Sequence, residues 1–444
     1  MRPPNGRLLA SHRADRGRTA AARPTTSAPR PAVTPADRAR AAGARLSLFA
    51  VTAPGLEPLA LAELRAIGIA NPRAEPGGVA FAGRLEHLYR ANLWLRTASR
   101  VVARVGEEFH ASAFHELERH ARKLPWETFV VPGAPVRFRV TCRKSRLYHS
   151  DAVAERLAAA LAKRVGGAVG RVDLIEHEDD DAIAEGAASG DAQLFTARLV
   201  HDRCTVSADS SGALLHLRGY RQAVAKAPLR ETLAAAILLG AGWDGTTPLV
   251  DPMCGSGTIA IEGAMIARRL APGRARDFAF MRWPGFHADA WHAALERAAS
   301  VALPASPVPI LASDRDAGAI EAAGANAERA GVAGDVALAV QALSHAEPPP
   351  PSASGATGAM PGLVAVNPPY GVRVGERDRL RNLYAQLGKL LHARFPGWRL
   401  ALFSADRTLD AHVGLPLEEV LHTTNGGIPV RLAVGEIGGL STGT

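Results

Sequence analysis

The sequence contains few cysteines, few aromatic residues and no long apolar run. Three of its 444 residues are cysteines (Cys142, Cys204 and Cys254), and 5% are aromatic. Three widely spaced cysteines argue against a CxxC metal or redox motif and against a disulfide framework, so a reducing cytoplasm is the expected compartment. No segment reaches the run of about 18 apolar residues that a membrane-spanning helix needs, and we therefore expect no membrane partner.

Acidic residues are scarce at one end of the chain. The formal net charge is +9, but residues 1–45 alone hold ten Arg and two Asp, and the remainder is nearly balanced. The overall basicity therefore does not make the folded body a nucleic-acid binder. Residues 1–45 are also rich in Ala and Pro and have no helical or strand period, which predicts a disordered arm. This arm is interpreted either as a solvated extension or as an electrostatic contact with RNA.

The rest of the chain has the composition of a folded protein. It is long enough for about two to four domains, and 47% of all residues are hydrophobic while 21% are charged. Strand and helix patterns alternate over residues 46–109, predicting a small α/β unit, and a second α/β unit follows over 110–212. Within 213–444, strands alternate with helices in the pattern of an open parallel sheet with helices on both faces.

One dense basic cluster stands out in the folded body, on and just after the strand predicted at residues 136–142. Guanidinium groups form paired contacts with phosphate oxygens, so this cluster is a candidate RNA contact. A solvated strand edge protected by its charge is the alternative interpretation. The candidate RNA-binding residues are Arg137, Arg139, Arg143, Lys144 and Arg146.

A glycine-rich turn joins a short apolar strand to a helix within residues 248–270. Its candidate ligand contacts are Asp251, Met253, Gly255 and Gly257. Glycines allow a positive φ and a close approach of the backbone to a ligand, and open sheets bind ligands at the carboxyl ends of their strands. The turn lacks the Lys-Ser or Lys-Thr ending of a phosphate-binding loop. Taken alone, it also fits a plain connection between a strand and a helix.

A second apolar strand, at residues 309–314, also ends in an acid. A carboxylate at the Asp314 position can accept two hydrogen bonds from ribose hydroxyls, as in other doubly wound nucleotide folds. The neighbouring Asp316 is predicted to cap the helix at Ala317–Ala330 instead.

The candidate catalytic residues are Asn367, Pro368, Pro369 and Tyr370, directly after the apolar strand Leu363–Val366. An exocyclic base amine is a poor nucleophile because its lone pair is delocalised into the ring. The Asn367 side-chain oxygen and the Pro368 carbonyl can each accept one amine proton, which would aim the lone pair at a methyl donor. Tyr370 can stack on a base that has left its own stack. A rigid turn without chemistry is the alternative.

Taken together, residues 251–258, Asp314 and residues 367–370 resemble the class I S-adenosylmethionine-dependent methyltransferases that modify exocyclic amines. Residues 218–221, 227–237 and 367–373 narrow the resemblance to the THUMP-domain RNA guanine-N2 methyltransferases, whose bacterial members include a 23S rRNA enzyme. The resemblance covers about residues 46–440.

The resemblance implies an α/β fold: a Rossmann-like methyltransferase domain over 213–444, mostly parallel with an antiparallel last strand. A ferredoxin-like subdomain over 46–109 and a THUMP RNA-binding domain over 110–212 would precede it. It implies S-adenosylmethionine as cofactor, no metal, and 23S rRNA or its assembly intermediate as partner, alternatively tRNA. Adenine-N6 methylation and a non-catalytic RNA-binding assembly factor remain alternative functions.

By the same resemblance, Asp251, Met253, Gly255 and Gly257 line the cofactor, Asp314 holds its ribose, and residues 229–235 pack over its methionine end. Asn367 would serve both cofactor and base. Relatives usually carry an acid after the third strand. Gln341 stands there in this sequence, and its amide oxygen can accept the same hydrogen bond from the adenine amine.

Other conspicuous residues are interpreted as structural. Cys254 is a small turn residue, because amine methylation needs no covalent thiol. Glu262 is expected only to satisfy backbone groups. Asn425 and Gly426 are the strongest hairpin-turn signal in the chain and fit an antiparallel last pair of strands.

Overall fold

The computed structural model describes residues 45–166, 170, 172–174, 191–222, 229–350, 361–370 and 377–438. The predicted arm at 1–45 therefore lies almost wholly outside the described residues. The same holds for residues 227–228 and 371–373 of the motifs named above.

Strands and helices alternate along most of the described chain. The strands are β1 Leu46–Thr52, β2 Arg73–Glu75, β3 Gly78–Gly83, β4 Ala98–Arg104, β5 Phe109–His110, β6 Val136–Arg143, β7 Val172–Leu174, β8 Gln193–Val200, β9 Arg203–Asp209, β10 Leu249–Asp251, β11 Ile310–Asp314, β12 Ala337–Val340, β13 Leu363–Val366, β14 Arg399–Ser404, β15 Glu418–Asn425 and β16 Ile428–Glu436. The helices are α1 Glu57–Ala66, α2 Leu85–Trp94, α3 Phe114–Ala121, α4 Ser150–Val165, α5 Glu231–Gly240, α6 Thr258–Ala267, α7 Ala288–Ser300, α8 Ala317–Ala330, α9 Arg377–Arg394 and α10 Arg407–Ala411.

The first nine strands form one continuous sheet. Its order is β2-β3-β1-β4-β9-β8-β6-β7, with β5 also paired to β9. Strands β4 and β9 pair antiparallel, so both amino-terminal units predicted from the sequence contribute to the same sheet. Apolar side chains alternate along these strands and pack on helices α1 to α4, and among the described residues of this unit no helix covers the other face of the sheet.

The remaining seven strands form a second sheet in the order β12-β11-β10-β13-β14-β16-β15. Strands β10 to β14 are parallel, whereas β16 runs antiparallel to β14 and β15. This is the predicted mostly parallel sheet with an antiparallel end. The order reverses between β10 and β13, and the carboxyl ends of strands at such a switch point are where open α/β sheets bind ligands.

A segment of the second half packs into the core of the first. Phe280 and Trp291, which lie between α6 and β11, are buried against Tyr89 of α2, and Phe278 packs against both of them. The Tyr89 and Phe280 ring centroids are 4.7 Å apart. The two sheets are therefore joined by a shared apolar core as well as by the chain.

No helix among the described residues is long and apolar enough to cross a membrane. The predicted cap at Asp316 is confirmed, because its carboxylate accepts hydrogen bonds from the backbone N–H groups of Gly318 (2.8 Å) and Ala319 (3.4 Å) at the start of α8.

Candidate active site

The predicted ligand contacts of the second sheet converge on its switch point. In the parallel register, Asp251 at the end of β10 lies beside Ala312 of β11, two residues before Asp314. Strand β10 also pairs with β13, whose carboxyl end runs directly into Asn367. Residues far apart in the sequence thus meet at one edge, because parallel strands present their carboxyl ends on the same side.

Asp251 is a buried carboxylate with few partners. Only 1% of its surface is exposed, and its Oδ1 accepts a hydrogen bond from the Met253 backbone N–H at 3.2 Å. Burial raises the pKa of Asp251 to about 8, and the nearby charge of Asp314 adds to that rise. A carboxyl group held in this way can accept hydrogen bonds from an incoming ligand.

The two glycines of the turn differ in the space around them: a side chain at Gly255 would meet open space, whereas one at Gly257 would collide with helix α8. Gly255 has φ +52°, and a Cβ there would meet no atom within 4 Å. Gly257 has φ +81°, and a Cβ there would lie 2.9 Å from the Ala323 Cβ of α8. The buried Asn326 of α8 donates from Nδ2 to the Ser256 carbonyl at 3.1 Å. The turn is therefore held against α8 while Gly255 faces open space.

Asp314 links the turn to the end of β11. Its Oδ2 accepts from the Gly255 N–H and its Oδ1 from the Asp316 N–H, both at 3.0 Å. Each carboxylate oxygen has further acceptor capacity, so these bonds orient the group and still leave it able to accept from hydroxyls.

Gln341 follows β12 at the same edge. Its backbone N–H donates to the Asp314 carbonyl at 2.8 Å, and its Nε2 donates to the carbonyl of His345. The second bond commits the donor end of the amide, so Oε1 is the end left to accept a hydrogen bond from a ligand.

The NPPY segment leaves β13 with one acceptor unsatisfied. Asn367 Oδ1 is buried, and no group among the described residues donates a hydrogen bond to it. Pro368 is buried, Pro369 is exposed and Tyr370 is half-buried. Because buried polar atoms are almost always paired, an orphaned amide oxygen at a ligand edge points to a missing donor.

Tyr370 is held by a residue that the sequence indicated only as part of a turn. Asn425 Nδ2 donates to the Tyr370 hydroxyl at 2.8 Å. The turn itself is formed by Gly426 (φ +55°) and Gly427 (φ +80°), since Asn425 pairs with Ile428. Asn425 therefore ends the hairpin strand, as expected, and also contacts a candidate catalytic residue. Because β16 runs antiparallel to β14, the turn before β16 lies at the carboxyl edge of the parallel strands, where Tyr370 also lies. An antiparallel last strand in the sequence could therefore have indicated that Asn425 lies near the candidate site.

Two buried acids have side-chain partners that the sequence did not indicate. Glu262 of α6 accepts from the Arg218 Nε (2.7 Å) and the Tyr220 hydroxyl (3.1 Å), so the view that it serves only backbone groups is wrong. Glu231, at the start of α5, was not singled out by its sequence, because an acid in a first helical turn is common. Its burial raises its pKa to about 7, and Arg221 lies 3.4 Å away.

The three strand residues of the basic cluster share one face of the first sheet. Arg137, Arg139 and Arg143 alternate along one face of β6, and Lys144, at φ +48°, follows the strand. The Arg146 backbone N–H donates to Asp202 at 2.7 Å. The neighbouring arginines of α4, Arg156 and Arg164, lie on the opposite side and pair with acids there.

No group of three or more His, Cys, Asp or Glu side chains in the described part of the chain is arranged to hold a metal ion. Met253 is half-buried against the core beneath the switch point. Burial raises the pKa of the Cys254 thiol, consistent with an unreactive turn residue.

The strand order, the acid and glycine turn after β10 and the NPPY segment after β13 define a class I S-adenosylmethionine-dependent methyltransferase. Residues 218–433 match the family model described as an RMKL-like methyltransferase domain, and residues 47–102 match the RlmL ferredoxin-like domain. A Synechocystis sp. protein named "Putative RNA methyltransferase slr0064" is 34% identical over 387 residues, covering 86% of this chain and 95% of that protein. The chain belongs to the RMKL-like methyltransferase family.

Two further likenesses support this assignment. A "Ribosomal RNA large subunit methyltransferase K/L" from Syntrophotalea carbinolica is 36% identical over 397 residues, covering 88% of this chain and 53% of that protein. The chain thus spans about half the length of this K/L relative. The solved structure of SMU.472, "a putative methyltransferase complexed with SAH", superposes with a TM-score of 0.76 at 29% identity, covering 90% of this chain and 99% of that one. The expected fold class and family resemblance are confirmed, and S-adenosylmethionine is the methyl donor of this family.

Proposed function

We propose that this protein transfers a methyl group from S-adenosylmethionine to the exocyclic N2 of a guanine in RNA, with 23S rRNA as the substrate. The observation that carries the proposal is the Asn367 Oδ1 atom, buried at the switch point without a donor. A base amine supplies the donor that this oxygen lacks.

The residues of the NPPY segment would act by positioning. The Asn367 oxygen and the Pro368 carbonyl accept the two amine protons, which turns the nitrogen lone pair toward the methyl group. The half-buried Tyr370, fixed through its hydroxyl by Asn425, offers a ring face to the base. The guanine must leave its stack to reach them. As the nitrogen–carbon bond forms, the bond between the methyl group and sulfur would break, S-adenosylhomocysteine would be the leaving group, and the amine would give up one proton to solvent.

The cofactor residues fit this assignment. Asp251, Asp314 and Gln341 present acceptors at the edge where Gly255 leaves space for a ligand. S-adenosylmethionine supplies an electrophilic methyl group on its sulfonium. The protein's contribution is to hold that group and the amine in line.

The choice of RNA rests on the family and on the basic face of the first sheet. Relatives named as large-subunit ribosomal RNA methyltransferases favour 23S rRNA. The predicted boundaries of the ferredoxin-like, THUMP and methyltransferase units, and the cytoplasmic location, stay predictions.

Tritium transfer from labelled S-adenosylmethionine tests the proposal. Separated 23S rRNA, 16S rRNA and tRNA from cells lacking the gene serve as substrates, and the labelled nucleoside is identified by chromatography. We expect N2-methylguanosine in 23S rRNA, with the rate falling about 100- to 1,000-fold in Asn367→Ala. Asn367→Asp, which retains an acceptor, should lose less.

The other outcomes separate the alternatives. Label in tRNA would identify tRNA as the substrate instead of 23S rRNA. Label recovered as N6-methyladenosine would identify adenine as the methylated base. Binding of S-adenosylmethionine by calorimetry without transfer to any RNA or assembly intermediate favours the non-catalytic RNA-binding factor. Calorimetry on Asn367→Ala also shows whether the variant keeps its fold.

A further inference from the structure

A groove of about 800 Å³ runs between the face of the first sheet that lies opposite helices α1 to α4 and the methyltransferase sheet. Its floor is made of the outward-facing residues of β1, β4, β6, β8 and β9. Its wall includes Arg230, Thr232 and Leu233 at the start of α5, together with Thr424 of β15. A space of this volume can hold a few nucleotides of a single strand.

The groove is strongly basic. Six arginines line it, whereas Glu75 is the acidic side chain among the described lining residues. The arginines are Arg100, Arg104, Arg139, Arg143, Arg198 and Arg230. Arg100 is paired with Asp209, and the two arginines of this lining that are exposed are Arg143 and Arg198. Such a groove suits a chain of phosphates.

The spacing of the charges follows from the sheet. Arg139 and Arg143 lie on the same face of β6 as Thr141, whose neighbour in the parallel register is Arg198 of β8. Residues two apart on one strand are about 6.6 Å apart, comparable with the separation of neighbouring phosphates in an extended strand. Arg143 and Arg198 are both exposed.

The groove also contains a flat surface for a base. The guanidinium carbon of Arg104 lies 4.9 Å from the centroid of the half-buried Phe49 ring. Aromatic rings and guanidinium planes both stack on bases without selecting a sequence. Surfaces that bind single-stranded nucleic acids commonly combine positively charged side chains with an aromatic ring on which a base stacks.

The groove leads toward the NPPY segment. Thr424, on its wall, precedes Asn425, whose side chain holds the Tyr370 hydroxyl at 2.8 Å. The groove wall and the residue that fixes Tyr370 are thus consecutive in β15, so RNA bound in the groove would lie near the candidate catalytic residues.

We propose that this groove binds single-stranded RNA flanking the target base, with Arg143 and Arg198 contacting its phosphates and the Phe49–Arg104 pair stacking on a base. The inference rests on the proposed function for its choice of ligand. It extends the basic cluster expected from the sequence to β4 and β8. It also separates the groove arginines from the charges on α4, which lie on the other side of the sheet.

Binding of RNA without catalysis tests the inference. The probe is a fluorescein-labelled single-stranded RNA of about twelve nucleotides, titrated by polarisation at several salt concentrations, with the same sequence as a duplex for comparison. We expect Arg143→Glu and Arg198→Glu each to weaken binding at least about tenfold. Each should also lower the slope of log affinity against log salt by about 0.7, the share of one phosphate contact.

The matched control is Lys163→Glu, an equal change of charge on α4, behind the sheet. We expect it to change the affinity less than about twofold. Equal weakening by Lys163→Glu, unchanged binding in both groove variants, or a preference for the duplex would overturn the proposal. S-adenosylmethionine affinity by calorimetry should equal wild type in all three variants, which confirms that they fold.

The readout keeps the two proposals apart. If the wild type methylates no RNA but the groove variants lose RNA binding, the groove stands and the proposed function fails. If the wild type methylates guanine and both groove variants bind RNA and react as the wild type does, the proposed function stands. In that case only the RNA-binding role of the groove is overturned.

Discussion

Replacing Glu262 with alanine should destabilise the protein more than any loss of a surface ion pair. The Glu262 carboxylate is fully buried and accepts from the Arg218 Nε at 2.7 Å and the Tyr220 hydroxyl at 3.1 Å. Its Oε2 lies 3.8 Å from the Arg96 Nη1. Arg96 belongs to the first sheet's unit, and the Arg218 Nη2 donates to its carbonyl at 2.9 Å. One carboxylate therefore balances two buried guanidinium groups where the two halves meet.

The magnitude follows from what the substitution leaves behind. Removing one partner of a buried ion pair costs about 3–5 kcal/mol, because the remaining charge stays out of water without compensation. Two arginines lose their anion here, so we expect at least about 4 kcal/mol. That is a large share of the roughly 5–15 kcal/mol by which folded proteins are stable. Glu262→Gln keeps an acceptor and should cost about half as much.

Urea unfolding followed by circular dichroism measures the difference, with tryptophan fluorescence as a second probe of coincident transitions. The control is Glu118→Ala, which removes a partner from Arg122 and Arg156 at the surface. It should cost far less than Glu262→Ala, because water and salt screen this pair, and the loss should fade at high salt. If Glu262→Ala costs no more than Glu118→Ala, the buried cluster does not hold the two halves as argued.

Three further predictions concern the candidate site. The raised pKa of Asp251 means that the folded state holds its proton above the unfolded pKa, so the stability of the cofactor-free protein should fall as pH rises from about 4 to about 8. Asp251→Asn should flatten this fall in urea unfolding while weakening S-adenosylmethionine binding. Gly255→Ala should lower the free energy of unfolding by about 1–2 kcal/mol, because alanine disfavours a φ of +52°. It should also abolish cofactor binding measured by calorimetry. Retained binding would show that the cofactor does not occupy the open space beside Gly255. Tyr370→Ala should lower kcat/KM by about 5- to 150-fold through lost stacking, whereas Asn425→Ala should raise KM more than it lowers kcat.

The residues at strand ends were predictable because their signal is local. Asp251, Asp314 and Asn367 each follow a short apolar run, and parallel strands bring their carboxyl ends together regardless of loop length. The sequence therefore predicted which side chains meet at one edge of the sheet. It also predicted the α8 cap at Asp316, since a carboxylate before a helix satisfies its first N–H groups.

The remaining features depend on contacts that no local pattern encodes. The joining of two amino-terminal units through β4 and β9 needs the pairing of strands about a hundred residues apart. The buried role of Glu262 depends on Arg96 and Arg218 arriving from other elements. The apolar pattern of the helix around Glu262 is the same whether its carboxylate accepts from backbone groups or from an arginine. Only the folded structure shows which of these partners it has.

These long-range contacts have a consequence for how the substrate is chosen. Phe280 and Trp291 pack in the core of the first unit, and the Glu262 cluster joins the same halves next to α6, the helix that begins at the glycine turn. The basic groove and the candidate catalytic residues are thereby held at a set separation. Because catalysis by positioning depends on distances within about an ångström, that separation would decide which base reaches Asn367. Selection of the target nucleotide would then rest on the interface between the halves as much as on contacts to the base itself.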